Sequence, residues 1–359
     1  MPTKRASNAN PGPQREKQSK KPGTRSRPEP APKTQPKAKP KAKPKVKPKV
    51  KPKTQPKASL SPGPLDTLAL LSRLPVWEWP GDAERCLRAV LEDERVALPM
   101  RRLAAELAGE PAVMGDSLAE LLLSLVERAD LDASLRETAA LALGPSLELC
   151  ELDGWDLPED PDGAPFSEPV FQRVLEALRQ VYHRADAPGS VRRAALMASA
   201  RAPQGWHTGA VRAAFAQTDL DWRRAAAAAA EHVRGFERQI LEALSDPDPG
   251  LRQLAVSAAG AWELPEAWEP VAALLASPGV PRPLLLAAIE ASSSLCPENL
   301  FAHLEVHLDS RDEEIADAAR EAMAMTEDLD FAEDDLLDAS EDDGWDDLGE
   351  SDDEDDLPF

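Results

Sequence analysis

Seven times along this chain an Ala stands three residues after an anchor position. The pairs are Arg101 with Ala104, Arg136 with Ala139, Arg192 with Ala195, Arg223 with Ala226, Arg252 with Ala255, Leu285 with Ala288 and Ala316 with Ala319. Successive anchors lie 35, 56, 31, 29, 33 and 31 residues apart. A unit of that length buries its apolar face only against its neighbours, so the period demands a stacked array. Apolar residues at three- and four-residue spacing make each unit a pair of helices. Leu118, Leu121, Leu122 and Leu125 mark one first helix, and Leu135, Ala139 and Leu143 its partner. Ile240, Leu241 and Leu244 pair in the same way with Leu251, Ala255 and Ala259. No alternating strand pattern competes. The expectation is an all-α, right-handed α-solenoid of six to seven helix pairs over residues 63–326.

The joints carry the local chemistry that such pairs need. The fullest copy is Asp246-Pro247-Asp248-Pro249-Gly250-Leu251-Arg252-Gln253-Leu254-Ala255. Asp caps a helix start, and Pro fits the first turn because its missing N–H has no partner there anyway. The Ala lets neighbouring backbones approach, where a larger side chain would push the stack apart. The gap of 56 residues points to an insertion at 145–169. That stretch holds five Pro together with Asp153, Asp156, Glu159, Asp160 and Asp162, and it reads as an acidic loop.

The pattern D-x-D-x-x-[LV]-R-x-x-A resembles HEAT repeats, in particular the bacterial HEAT-like repeats of the phycobilisome-lyase type. The resemblance covers residues 83–325. It implies a ladder between neighbouring turns built from Asp130, Arg136, Asp186, Arg192, Asp219, Arg223, Asp246 and Arg252. The copies at Leu285 and Ala316 have lost the Arg, and the first has lost the paired Asp. Terminal copies of an array are expected to degenerate into caps, whereas the loss at Leu285 lies inside it.

Charge divides the chain into three. Residues 1–62 carry 19 Lys or Arg against Glu16 and Glu29, with 14 Pro and no aromatic residue. Such a segment cannot build a core and reads as a disordered, extended arm. It resembles the Lys/Ala/Pro tails of linker histones, which implies contact with DNA, RNA or another polyanion. Residues 327–359 carry 18 Asp or Glu and no basic residue, and read as a disordered acidic tail. The formal net charge of −22 leaves −21 on the segment between. The +17 arm can therefore pair electrostatically with the chain's own acidic parts as well as with a polyanion.

Several kinds of chemistry find no support. Cys86, Cys150 and Cys296 have neither disulfide nor zinc spacing. Met1 to Lys21 holds no apolar signal core, and no run approaches the length of a membrane span. A cytoplasmic setting without membrane insertion is expected, with nucleoid association as the alternative. His303 and His307 share a helix face, but Glu305 is misplaced for H-E-x-x-H, so they read as exposed helix residues. HEAT-like hydroxylases hold iron through His-Glu pairs. Here only the reversed Glu231-His232 occurs. No cofactor or metal is expected.

The remaining candidates are partner-binding residues. Trp206, Trp222, Trp262 and Trp268 are placed to line one face of the array. Asp153-Gly154-Trp155-Asp156-Leu157 reappears as Asp343-Gly344-Trp345-Asp346-Asp347-Leu348. Trp155 and Trp345 thus form two copies of a possible docking motif, which would gain avidity by binding one partner. The leading expectation is a non-enzymatic scaffold that binds other proteins. A nucleic-acid-associated protein is second. A HEAT-like enzyme such as a lyase, without any visible site, is third. Nothing in the pattern fixes an oligomeric state.

Overall fold

The computed structural model describes residues 63–153, 164–295 and 300–325. The basic arm and the acidic tail lie outside the described residues, as do Trp155 and Trp345. Every regular element among the described residues is helical. After α1 (Pro64–Leu71) come α2 (Ala83–Glu92), α3 (Leu98–Leu107), α4 (Asp116–Glu127), α5 (Ala133–Ala142) and α6 (Gly144–Asp153). The chain continues through α7 (Glu168–His183), α8 (Gly189–Ser199), α9 (His207–Phe215), α10 (Leu220–Ala230) and α11 (Glu237–Ala243). It ends with α12 (Pro249–Ala261), α13 (Trp268–Ala276), α14 (Arg282–Leu295), α15 (Leu300–Leu308) and α16 over residues 313–325.

These helices form a two-layer solenoid. Second helices α3, α5, α8, α10, α12 and α14 pack in that order, each on the one before. First helices α2, α4 and α7 stack beside them, and each pairs with the second helix that follows. The seven repeat alanines, Ala104, Ala139, Ala195, Ala226, Ala255, Ala288 and Ala319, are all 0 % exposed. All seven belong to the buried core, where a larger side chain would need room that packing does not leave, so the position keeps its small size. Gly260 shows the limit of this crowding: a Cβ there would lie 2.8 Å from Ala291 Cβ and 3.0 Å from its Cα.

The predicted caps form at several starts. Asp132 accepts from the Ser134 N–H at 2.9 Å, Asp219 from Asp221 at 2.8 Å and Asp248 from Leu251 at 2.7 Å. Each satisfies a backbone donor that the helix itself leaves open. Pro occupies the first turn of α1, α3, α7 and α12.

The insertion differs from its expectation as a loop. Residues 144–153 form α6, which follows α5 with only Leu143 between them. The count of acids and prolines hid two apolar residues, Leu147 and Cys150, three apart on one helix face. Both are 0 % exposed. Their burial favours the helix, and residues 154–163 of the insertion lie outside the described residues.

Candidate functional site

Of the ladder that the resemblance implied, the rung from Arg223 to Asp246 forms, and the other repeat arginines turn elsewhere. Arg101 donates to the Leu91 carbonyl from Nε at 3.2 Å and Nη2 at 2.8 Å. Arg136 Nε donates to Val126 O at 3.0 Å, and Arg192 Nε to Tyr182 O at 2.8 Å. Each acceptor is the next-to-last residue of the first helix in the same pair. Carbonyls at a helix end lack an internal partner, and a cation is favoured at that pole. Arg136 is only 3 % exposed, and burial followed by the charge of Arg184 pulls its pKa below the ordinary Arg value.

The aspartates go elsewhere. Asp130 pairs with Arg128 and Asp186 with Arg184. The hydrogen bonds from those arginines hold both carboxyls below the usual range. Asp219 serves as a cap. Only Arg223 reaches the expected neighbouring Asp246. Arg252 Nε is buried with no hydrogen-bond partner among the described residues. Links between pairs come instead from neighbouring arginines: Arg193 to Asp221 at 3.2 Å, Arg224 to Asp248 at 2.7 Å and Arg282 to Asp312 at 2.6 Å.

Trp206, Trp222, Trp262 and Trp268 are joints rather than one binding row. Trp206 stacks on His207 with centroids 3.9 Å apart and meets Tyr182 at 5.2 Å. The Arg192 and Arg193 guanidiniums lie 5.5 and 5.7 Å from the Trp222 ring. Trp262 Nε1 donates to Ala230 O at 2.7 Å and so ties α12 to the end of α10. Trp268 meets the His303 ring edge-on at 4.8 Å. His307 Nε2 lies 3.0 Å from Leu275 O. His303 and His307, expected to be exposed, are half-buried and bridge α15 to α13.

His207 and Ser199 form the one Ser–His contact in this region, with Oγ and Nε2 2.9 Å apart. Both residues are 0 % exposed, and Ser199 donates to Ala195 O at 2.7 Å. The Gln204 N–H donates to Nδ1 at 2.8 Å, so Nε2 carries the proton and donates to the hydroxyl. Burial pushes the His207 pKa down to about 4, against the backbone contact with Gln204. This neutral histidine holds the turn between α8 and α9 together and presents no nucleophile at the surface.

Among the described residues, an open groove lies in the second-helix layer of the C-terminal half. One cavity of about 270 Å³ is lined by Glu231, Ser257, Gly260, Ala287, Glu290 and Ala291 among others. An adjoining one of about 290 Å³ shares Glu290 and Ser294 and adds Ala318, Glu321 and Ala322. The floor is built of small residues and the charged lining is entirely acidic. Burial raises the Glu231 pKa; Arg201 opposes this, and Glu148 and Glu290 add to it. Glu290 stands at the exposed rim. Partial desolvation raises its pKa too, followed by the charges of Glu321 and Glu314.

The groove's upstream end is marked by α6. Its Glu148 pairs with Arg201, just beyond α8, and lies 3.6 Å from His232 Nδ1, just beyond α10. The groove escaped sequence reasoning because an acid on a repeat helix looks like any solvated helix face. The register was the available signal: Glu290 and Glu321 both lie five residues after their anchors.

Neither a protein-family model nor a curated protein sequence matches the chain. Solved structures that resemble it distantly include the following two. YibA of Escherichia coli is 17 % identical with a TM-score of 0.35, over 72 % of this chain and 85 % of that one. Human deoxyhypusine hydroxylase, solved in complex with glycerol, is 17 % identical with a TM-score of 0.34, over 72 % and 88 %. The architecture rests on the order and packing of the chain's own helices.

Proposed function

We propose that this chain is a non-enzymatic scaffold that binds a protein partner through the acidic groove spanning α10, α12, α14 and α16. One observation carries the reading: two adjoining cavities share a small-residue floor and gather Glu231, Glu290 and Glu321. Carboxylates brought together with partial desolvation are relieved by a cationic occupant. Electrostatic complementarity of this kind sets partner choice and speeds encounter. The test compares proteins that co-purify with the full chain and with its Glu290→Lys/Glu321→Lys form. A partner lost from the groove variant but retained by Arg85→Glu, on α2, is the expected result. Equal recovery by all three forms sinks the reading.

A second reading rests on the 19 basic residues of the arm. That arm serves as an electrostatic tether to nucleic acid. If it neutralises about eight phosphates, log K for duplex DNA falls with log salt at a slope near −7. A slope near zero for the full chain removes the tether.

A further inference from the structure

The chain already contains one helix seated on its second-helix layer. Counting from each anchor, the seat of α6 uses positions six and nine. Position six of the Arg192 repeat is Ala198 and position nine is Arg201, while His232 is position nine after Arg223. A Cβ on Gly144 would lie 3.0 Å from Arg201 Cδ and 3.4 Å from Ala198 Cα, so α6 starts in close contact with that face. Ser146, Leu147 and Cys150 then bury completely, and Glu148 reaches Arg201 and His232.

The same register lines the open groove downstream. Position six becomes Ala291 and Ala322. Position nine becomes Ala261, Ser294 and Met325. At position six the α6 seat and the groove are alike in carrying Ala, small enough for a backbone to approach, whereas at position nine Arg201 and His232 give way to Ala261, Ser294 and Met325. The charge inverts. Arg201 has no basic counterpart among the residues lining the two cavities, which instead present Glu231, Glu290 and Glu321.

We propose that the groove holds a helix of a protein partner, seated as α6 is, with Lys or Arg where α6 carries Glu148. The proposal rests on the reading of the groove as a partner site and names the shape and charge of what enters it. Continuity with the α6 seat carries the helical form, and the carboxylate lining carries the sign. Burial first, and then neighbouring carboxylates, raise the pKa values of Glu231 and Glu290, with Arg201 opposing the shift at Glu231.

Three labelled probes test it by fluorescence anisotropy against the full chain. The first places the α6 sequence, with Lys for Glu148, in an Ala-rich helix of about 20 residues, a length at which helices begin to hold in water. The second keeps Glu at that position. The third carries the charge of the first but is interrupted by Pro and cannot be helical. The helical Lys probe should bind at least tenfold tighter than either control. It should lose at least tenfold against Glu290→Lys/Glu321→Lys, or show a smaller loss against Glu290→Gln if charge reversal unfolds the last repeats. Equal binding of the helical and Pro-interrupted Lys probes, still sensitive to Glu290, overturns the helical occupant but leaves the groove reading standing. No dependence on Glu290 for any probe overturns both.

Discussion

Arg136 reaches back ten residues to the carbonyl of Val126, and Arg192 makes the same reach to Tyr182. The repeat arginine in these pairs clasps the two helices of one unit instead of bridging to the next. Replacing a buried, charge-assisted hydrogen bond leaves the carbonyl unmet, at a cost of about 1.5–3 kcal/mol. Arg136→Ala should lower the denaturation midpoint accordingly. Arg136→Lys should recover little, because Val126 O is met by Nε, at a place along the side chain where Lys carries a methylene and has no donor. Full recovery by Lys would show that charge alone suffices.

Gly260 and Gly209 should respond to alanine with opposite signs. Helix propensity favours Ala over Gly by about 1 kcal/mol in a helix interior. Gly209, in α9, has nothing within 4 Å of an added Cβ, so Gly209→Ala should gain part of that amount. At Gly260 the contact with Ala291 Cβ and Cα is far too short, and overpacking costs about 1–3 kcal/mol. Gly260→Ala should therefore lose stability, and Gly260→Ala/Ala291→Gly should recover part of it. A gain at Gly260 alone would mean that α12 and α14 separate freely.

The acidic groove should oppose the rest of the molecule in its pH response. A raised folded-state pKa at Glu231 means that the carboxyl favours folding when protonated, and that this contribution is lost as pH rises through the folded pKa. Asp130, Asp186, Asp246 and Asp248 are lowered by their hydrogen bonds, and stabilise above their ordinary range. Glu231→Gln should thus be more stable than the parent near neutral pH, with the difference closing as pH falls toward about 4, the ordinary Glu range. Denaturation midpoints across that interval decide it; a difference that widens on acidification contradicts the assignment.

Asp248 does two things at once. It caps Leu251 and pairs with Arg224. Loss of a cap costs about 0.5–2 kcal/mol, and a surface ion pair contributes about 0.2–1 even where, as here, it is half-buried. Asp248→Asn keeps a capping oxygen and removes the charge. It should therefore cost less than Asp248→Ala, and the gap between the two measures the cap. Equal midpoints for the two variants would leave the cap without weight.

The sequence made the array legible because its signals are local and periodic. The seven alanines and the capping aspartates at 132, 219 and 248 act within a turn of their own position, so spacing alone exposes them. The partners of the arginines were hidden because an Arg beside Asp residues looks like an ion pair, while its acceptor is a backbone oxygen that every residue carries. Helix α6 was obscured by acids and prolines that outnumber Leu147 and Cys150. The groove appears only when Glu231, Glu290 and Glu321, far apart in the chain, are brought onto one face.

Each second helix packs chiefly on the one before it and the one after it. The molecule therefore has no centre. Pulled from its ends, such an array gives way joint by joint, and the weakest joint decides where tearing starts. A partner lying across α10, α12, α14 and α16 would splint three of those joints together, turning a fragile succession into a single stiff span.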